Sequence, residues 1–270
     1  MSAVDRCWVD GRFVAVSEPV VRVDDGAFAG GRGCYTSARW TGRRARHQER
    51  HVARLVRDAR ALGIGDVDPA LAHRAIEELG RAAFADGCGV VRVQASRTAE
   101  GRVMLVARGR PLGPEPGHWR AISLPFAHAG GPVFHGAKIS NRLLHTLGSD
   151  AVREAGVDEG LFFDADGSAG RLVEGTRTNL VSVGADGVAT TPPDARGAVA
   201  GIALEVVDAV LGPITRADRT RGDCAELREI IALNAVRGAC AITVLDGRPV
   251  GSGRPGPLAR ELSAALDGAD

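Results

Sequence analysis

The sequence predicts an α+β fold in two lobes, a smaller N-terminal α/β lobe and a larger C-terminal one. Three observations point there. The 270 residues are long for one compact core and short for three, which points to two lobes or one large domain. Helix and strand patterns are mixed along the chain without a regular βαβ rhythm, which argues against a doubly wound parallel sheet. The stretch Arg110-Pro-Leu-Gly-Pro-Glu-Pro-Gly117 holds three prolines and two glycines, so it reads as a linker between residues 1–109 and 118–270. Hydrophobic residues at 44% and charged residues at 25% exclude disorder, a collagen repeat and a coiled coil.

The elements follow in chain order. Cys7 to Val9 and Arg12 to Val16 flank Asp10-Gly11, a two-residue hairpin signal. Gly26 to Gly33 is glycine-rich, and Cys34 to Trp40 reads as a strand. From Gln48 to Leu62 the apolar residues Val52, Leu55, Val56, Ala59 and Leu62 recur at helical spacing, and Gly63 ends the run. A second helix is expected over Pro69 to Phe84, then strands over Gly89 to Ser96 and Arg102 to Arg108. Beyond the linker come a strand (Ala121 to Pro125), a loop with Gly130-Gly131-Pro132 and a helix from Ser140 to Ala155. Strands over Glu159 to Asp164 and Leu172 to Val183 surround the Asp166-Gly167 and Asp186-Gly187 turns. A helix from Ala200 to Leu211, strands over Arg228 to Leu233 and Ala241 to Leu245, and a helix from Pro257 to Leu266 complete the chain.

Charge and motifs exclude several functions. The net charge is +1 and both signs are interspersed, so no field for nucleic acid exists. The one basic cluster, Arg43, Arg44, Arg46 and Arg50, is broken by Glu49 and reads as a solvated surface. No apolar stretch approaches the roughly 20 residues that cross a bilayer. Met1 to Gly11 has no apolar signal core, and the cytoplasm is the expected location. Five cysteines without a CxxC read as buried thiols, and no metal site is expected. The segment Gly26 to Gly33 matches neither GxGxxG nor GxxxxGK[ST] and precedes a strand, against a nucleotide loop.

The chain's only lysine is Lys138; every other Lys or Arg position is arginine. Arginine replaces lysine wherever a solvated charge suffices, but not where a deprotonatable primary amine is required. The pattern raises Lys138 as a Schiff-base or general-base amine.

Three stretches then fit together: Lys138-Ile-Ser-Asn141-Arg142, Leu172-Val-Glu174-Gly175-Thr176-Arg177-Thr178-Asn179-Leu180, and His51-Val-Ala-Arg54-Leu55. Together they resemble the fold-type IV (class IV) pyridoxal phosphate enzymes: branched-chain aminotransferases, D-amino-acid aminotransferases and aminodeoxychorismate lyases. Singly, Glu174, Arg54 and Asn179 are ordinary residues for a strand end, a helix face and a strand edge. Their register with the sole lysine is what joins them. The resemblance implies a two-lobed enzyme with Lys138 in the C-terminal lobe, a small-molecule amine substrate and a homodimer. It implies pyridoxal 5'-phosphate as cofactor, with Lys138 carrying it and moving protons. Glu174 would face the pyridine nitrogen, Arg54 would clamp the phosphate, and Asn179, Ile202, Ala203, Asn234 and Ala235 would line the cofactor. Ala203 departs from the family, which usually carries Thr or Ser there; the departure implies either a lower cofactor affinity or compensation by Thr191, Thr178 or a water.

Within the family, three short stretches are most similar to aminodeoxychorismate lyase, which converts 4-amino-4-deoxychorismate to p-aminobenzoate and pyruvate. Tyr35-Thr36-Ser37-Ala38-Arg39 has Thr36 where aminotransferases usually place Glu. The others are Asn141-Arg142 and Asn234-Ala-Val-Arg237-Gly238. On a strand Tyr35, Ser37 and Arg39 share one face. In the lyase reading Ser37 is the proton donor, and Tyr35, Arg39, Arg97, Asn141 and Arg237 contact substrate. The alternatives are a class IV aminotransferase for D-amino or branched-chain amino acids, and a cofactor-binding protein without turnover. The short loop Thr98-Ala-Glu-Gly101 counts against the lyase.

Overall fold

The computed structural model describes residues 6–114, 116–128, 136–165 and 170–269. The expected Gly130-Gly131-Pro132 loop and Asp166-Gly167 turn lie outside them. The chain divides into two compact units. One takes the residues up to Pro114 together with Ala137–Asn141; the other takes the intervening residues to Gly136 and everything from Arg142 onward. No helix among the described residues is long and apolar enough to cross a membrane.

In the N-terminal unit, β1 (Arg6–Val9) and β2 (Arg12–Ala15) form the expected hairpin. Asp10 and Gly11 both have positive φ, 45° and 97°, as a type I′ turn requires. The glycine-rich segment carries a short helix, α1 (Gly26–Gly30), where a loop was expected. Then come β3 (Gly33–Thr41), α2 (Gln48–Ala61), α3 (Pro69–Phe84), β4 (Cys88–Arg97) and β5 (Val103–Pro111). The strands form an antiparallel sheet in the order β2-β1-β5-β4-β3. Because β5 runs to Pro111, the first two residues of the expected linker are strand.

Helix α3 starts on Pro69, with the Asp68 carboxylate accepting from the Ala70 N–H at 2.9 Å. Val52, Leu55 and Ala59 of α2 and Ala72, Ala75, Ile76 and Leu79 of α3 bury against Trp8, Trp40, Val91, Val93 and Leu105. Gly80 admits the Trp40 ring; a Cβ there would stand 2.3 Å from it. The buried face of α2 also holds His51, Arg54 and Asp58, polar residues on a stripe that burial makes apolar by default.

Lys138 belongs to this unit, which corrects its expected place in the C-terminal lobe. The reason is backbone pairing. β3 is an edge strand, with donors and acceptors left open. Tyr35 N–H donates to the Lys138 carbonyl at 2.9 Å, Ser140 N–H donates to Gly33 at 2.7 Å, and Cys34 bridges Ile139. The same pairing delays the following helix, α4 (Leu143–Glu154), which was expected from Ser140.

The C-terminal unit contains β6 (Trp119–Ser123), α4, β7 (Glu159–Phe163), β8 (Leu172–Gly175), β9 (Asn179–Val183) and β10 (Ala189–Thr191). It continues with α5 (Ile202–Leu211), β11 (Thr215–Arg216), β12 (Glu229–Asn234), β13 (Gly238–Leu245), β14 (Arg248–Pro249) and α6 (Pro257–Gly268). Its mixed sheet has the order β11-β10-β9-β12-β13-β6-β7-β8, with β14 on β13. Alternation along β12 sends Ile230 and Ala232 to one core with Leu161, Phe163 and Leu172. Ile231 and Leu233 face the other, with α5 and α6. The single strand expected over 172–183 is two, because Gly175 N–H donates to Thr178 O and closes a turn at residues 176–178.

Candidate active site

In the N-terminal unit, alternation along β3 turns Cys34, Thr36, Ala38 and Trp40 toward the helices and Tyr35, Ser37 and Arg39 the other way. Arg54, one helical turn after His51, is buried and its Nη2 donates to Thr36 Oγ1 at 2.6 Å. His51 Nδ1 lies 2.7 Å from the same hydroxyl oxygen. A guanidinium only donates, so Thr36 accepts from Arg54 and its own proton is available to His51. Burial, then the Arg54 charge, hold the His51 pKa well below its ordinary value, and the ring is neutral. Two side chains, Thr36 on the strand and His51 on the helix, thus orient the guanidinium.

Lys138 is anchored through its backbone. Its N–H donates to Asp58 Oδ2 at 2.8 Å, and Asp58 is itself buried with Oδ1 accepting from Arg57. The Lys138 Nζ lies 5.0 Å from the centroid of the Tyr35 ring, and the Arg92 guanidinium covers that ring at 3.7 Å. Ser37 and Arg39 are half-buried on the Tyr35 face. Asn141 is exposed and packs on Gly31. Arg97 is also exposed and reaches only the Gly63 carbonyl, at 3.5 Å.

In the C-terminal unit, Glu174 closes β8 and is buried. Its Oε1 accepts from His145 Nε2 at 2.9 Å and lies 3.5 Å from His128 Nε2. Its Oε2 accepts from Val199 N–H at 2.9 Å. Burial alone would push the Glu174 pKa up. Hydrogen bonds from His128 and His145, the field of His145 and the Val199 N–H outweigh it, and the value falls to about 2. The donor atoms of the three side chains lie within 4.8 Å of one another. Glu159, on β7, accepts from the Thr176 N–H and hydroxyl and from the Thr178 hydroxyl, and so ties the turn between β8 and β9.

Asn179 Nδ2 donates to the Val199 carbonyl at 2.7 Å, and a Cβ on Gly201 would stand 1.7 Å from Asn179 Oδ1. Glycine is therefore required at the N-cap of α5, whose first amides have no side-chain cap. Ile202 and Ala203 are buried in the core beneath that end. Thr178 donates to Glu159, and Thr191 Oγ1 donates to the Leu180 carbonyl at 2.8 Å. Both hydroxyl protons are thus engaged within the unit. Asn234 Oδ1 accepts from the N–H groups of Val236 and Arg237, shaping the turn that carries Ala235 and Arg237.

The structure thus gathers Tyr35, Thr36, Arg54 and Lys138 in one unit and Glu174, Asn179 and the α5 N-terminus in the other. Sequence reasoning missed His51, Asp58, His128, His145 and Glu159 as members of these networks. His51 stood in the quoted motif with Arg54, and His145 follows Asn141-Arg142 by one helical turn; no pattern marks His128.

Residues 33–245 match the family described as Amino-transferase class IV. No curated protein sequence matches the chain. Among solved structures, a branched-chain aminotransferase from the archaeon Thermoproteus uzoniensis, with norvaline, superposes with TM-score 0.83 at 21% identity. It covers 98% of this chain and 95% of that one. A hypothetical aminotransferase from Mycobacterium tuberculosis, in its PLP-bound form, gives 0.82 at 20% identity and 98% of both chains. The Escherichia coli branched-chain aminotransferase gives 0.82 at 21%, over 98% and 94%.

Proposed function

The chain belongs to the class IV aminotransferases, pyridoxal-phosphate-dependent enzymes of fold-type IV, and from that premise we propose that it moves the amino group of a small amino acid to a 2-oxo acid. The observation that carries this reading is that one chain holds both a sole, backbone-anchored lysine in its first unit and, in its second, a buried carboxylate that stays ionised. These residues fit the cofactor. Lys138 offers the only lysine amine, Glu174 a fixed negative charge, Arg54 a buried guanidinium for the phosphate, and α5 uncapped amides for the same group.

Pyridoxal phosphate, when bound, supplies an aldehyde that condenses with amines and a ring that accepts an electron pair. The chain's residues do the rest. Glu174, by remaining negative, would hold a proton on the ring nitrogen. Lys138 would take the proton from the substrate carbon bearing the amine, as a general base, and deliver it as a general acid to the cofactor carbon that carried the aldehyde. Asp58 keeps its backbone in place. Thr36 and His51 orient Arg54. We propose a homodimer in the cytoplasm, a setting in which five thiols outside any disulfide, four of them buried, stay reduced. A solution mass of one 28.1 kDa chain would contradict the dimer.

A second reading, aminodeoxychorismate lyase, is favoured by Thr36 standing in the Arg54 network and by half-buried Ser37 on the Tyr35 face. One set of assays separates the two: keto acids formed from D-alanine and branched-chain amino acids, against p-aminobenzoate and pyruvate from aminodeoxychorismate. If the lyase operates, Ser37→Ala slows pyruvate formation by about a hundredfold; if transamination does, its effect falls on KM. The common premise is tested by borohydride, which should fix a pyridoxyl label on the Lys138 peptide. Colourless, unlabelled protein would defeat both readings. Lys138→Arg keeps the charge and should abolish labelling and turnover.

A further inference from the structure

We propose that His145, supported by His128, is a positioning residue that fixes the Glu174 carboxylate and reserves one site on its Oε2 for the protonated ring nitrogen of the cofactor. This rests on the functional reading above. The argument is a count of acceptor sites. A carboxylate has about four. Oε1 faces two imidazole nitrogens, His145 at 2.9 Å and His128 at 3.5 Å, while among the described residues Oε2 meets only the Val199 amide at 2.9 Å. One oxygen is filled and the other keeps a lone pair.

The donors come from three places in the unit: the segment after β6, helix α4 and the loop before α5. Such a convergence fixes both the position and the rotation of the carboxylate. Phe162, paired with Glu174 across β7 and β8, meets both imidazoles edge-on, at centroid distances of 5.5 and 5.2 Å. The rings therefore have little freedom to turn away.

The choice of histidine has a physical reason. An arginine or lysine would hold the carboxylate equally well but would place a permanent positive charge beside it, weakening its attraction for a protonated ring. A neutral imidazole donates an N–H without that opposition. Burial, the largest influence on His145, lowers its pKa and favours that neutral form near neutral pH; its charge acts on Glu174 only once acid protonates the ring.

The experiment titrates pyridoxal phosphate into full-length apo protein and follows the visible band against pH, for wild type, His145→Ala, His145→Gln and His128→Ala. Loss of a hydrogen bond to a charged group should weaken cofactor binding about tenfold in His145→Ala. The pH midpoint of the band should move by roughly half a unit or more, as expected for a changed partner of the ring nitrogen. Turnover should fall in kcat with the KM for amino substrate unchanged. His145→Gln, which keeps an N–H donor, should recover part of each effect, and His128→Ala should show a smaller version. If His145→Ala fails to fold, His145→Gln and His128→Ala carry the same readouts. Folded variants with wild-type affinity and band titration would overturn the inference alone. A wild type that develops no band would overturn the functional reading and this inference with it.

Discussion

Glu159 and Glu174 sit on adjacent strands of one sheet, both buried, and the protein drives them in opposite directions. Glu159 accepts from four neutral donors: the N–H groups of Gly160 and Thr176 and the hydroxyls of Thr176 and Thr178. Burial still dominates and raises its pKa, even against these donors and the Arg177 guanidinium 3.9 Å from Oε2. Glu174 has fewer donors, but two are imidazoles, and its value falls to about 2. The count of hydrogen bonds does not decide the charge of a buried acid; the chemistry of the donors does. One site organises a turn, and the other keeps a negative charge ready.

The comparison breaks most readily at Glu174. Glu174→Gln should retain the cofactor and lose turnover by at least about tenfold to a hundredfold, because a neutral amide cannot hold a protonated pyridine nitrogen. Steady-state kinetics beside a cofactor titration would show it, and near-normal turnover would make Glu174 structural.

Acid should separate the pair next. The native state favours ionised Glu174, so its contribution is whole above the ordinary glutamate value of 4.5 and is lost as pH falls toward 2. Over that window the loss is up to about 3 kcal/mol, at roughly 1.36 kcal/mol per pH unit. Glu159 has the reverse sign: its native pKa is raised, so the folded state holds the proton more tightly and acid does not remove its support. Urea midpoints at pH 5 and pH 3 should therefore diverge less in Glu174→Gln than in wild type, and as much as wild type in Glu159→Gln.

The smallest effect is expected for Glu159→Gln at pH 7. A glutamine oxygen replaces Oε1 as acceptor, and its amide can donate to Thr178 Oγ1. Stability should change by about 1 kcal/mol or less, a shift of roughly 2–4 °C in Tm. Turnover should stay within about threefold. A collapse of the fold in this variant would show that Glu159 needs its charge, and the contrast would fail.

Much of the fold was legible because it rests on local signals. Asp10-Gly11, the apolar stripe of α2 and the Asp68-Pro69 start of α3 each act within a few residues. Errors gathered where a distant partner intervened. Lys138 left its expected lobe because an open strand edge took its backbone. The strand over 172–183 broke because Glu159 organises Thr176 and Thr178.

The sequence by itself determined the reactive groups. A lone lysine among arginines, a glutamate in register with it and an arginine one turn after a histidine are chemical identities, and they survive any uncertainty about packing. Only the tertiary structure decided how those groups are tuned. His128 and His145 meet Glu174 from a loop and a helix, Thr36 and His51 meet Arg54 across strand and helix, and Asp58 meets Lys138 from 80 positions away. The physical reason is reach. Hydrogen bonds and burial act over a few ångströms in space, and chain order says little about which side chains packing will bring that close.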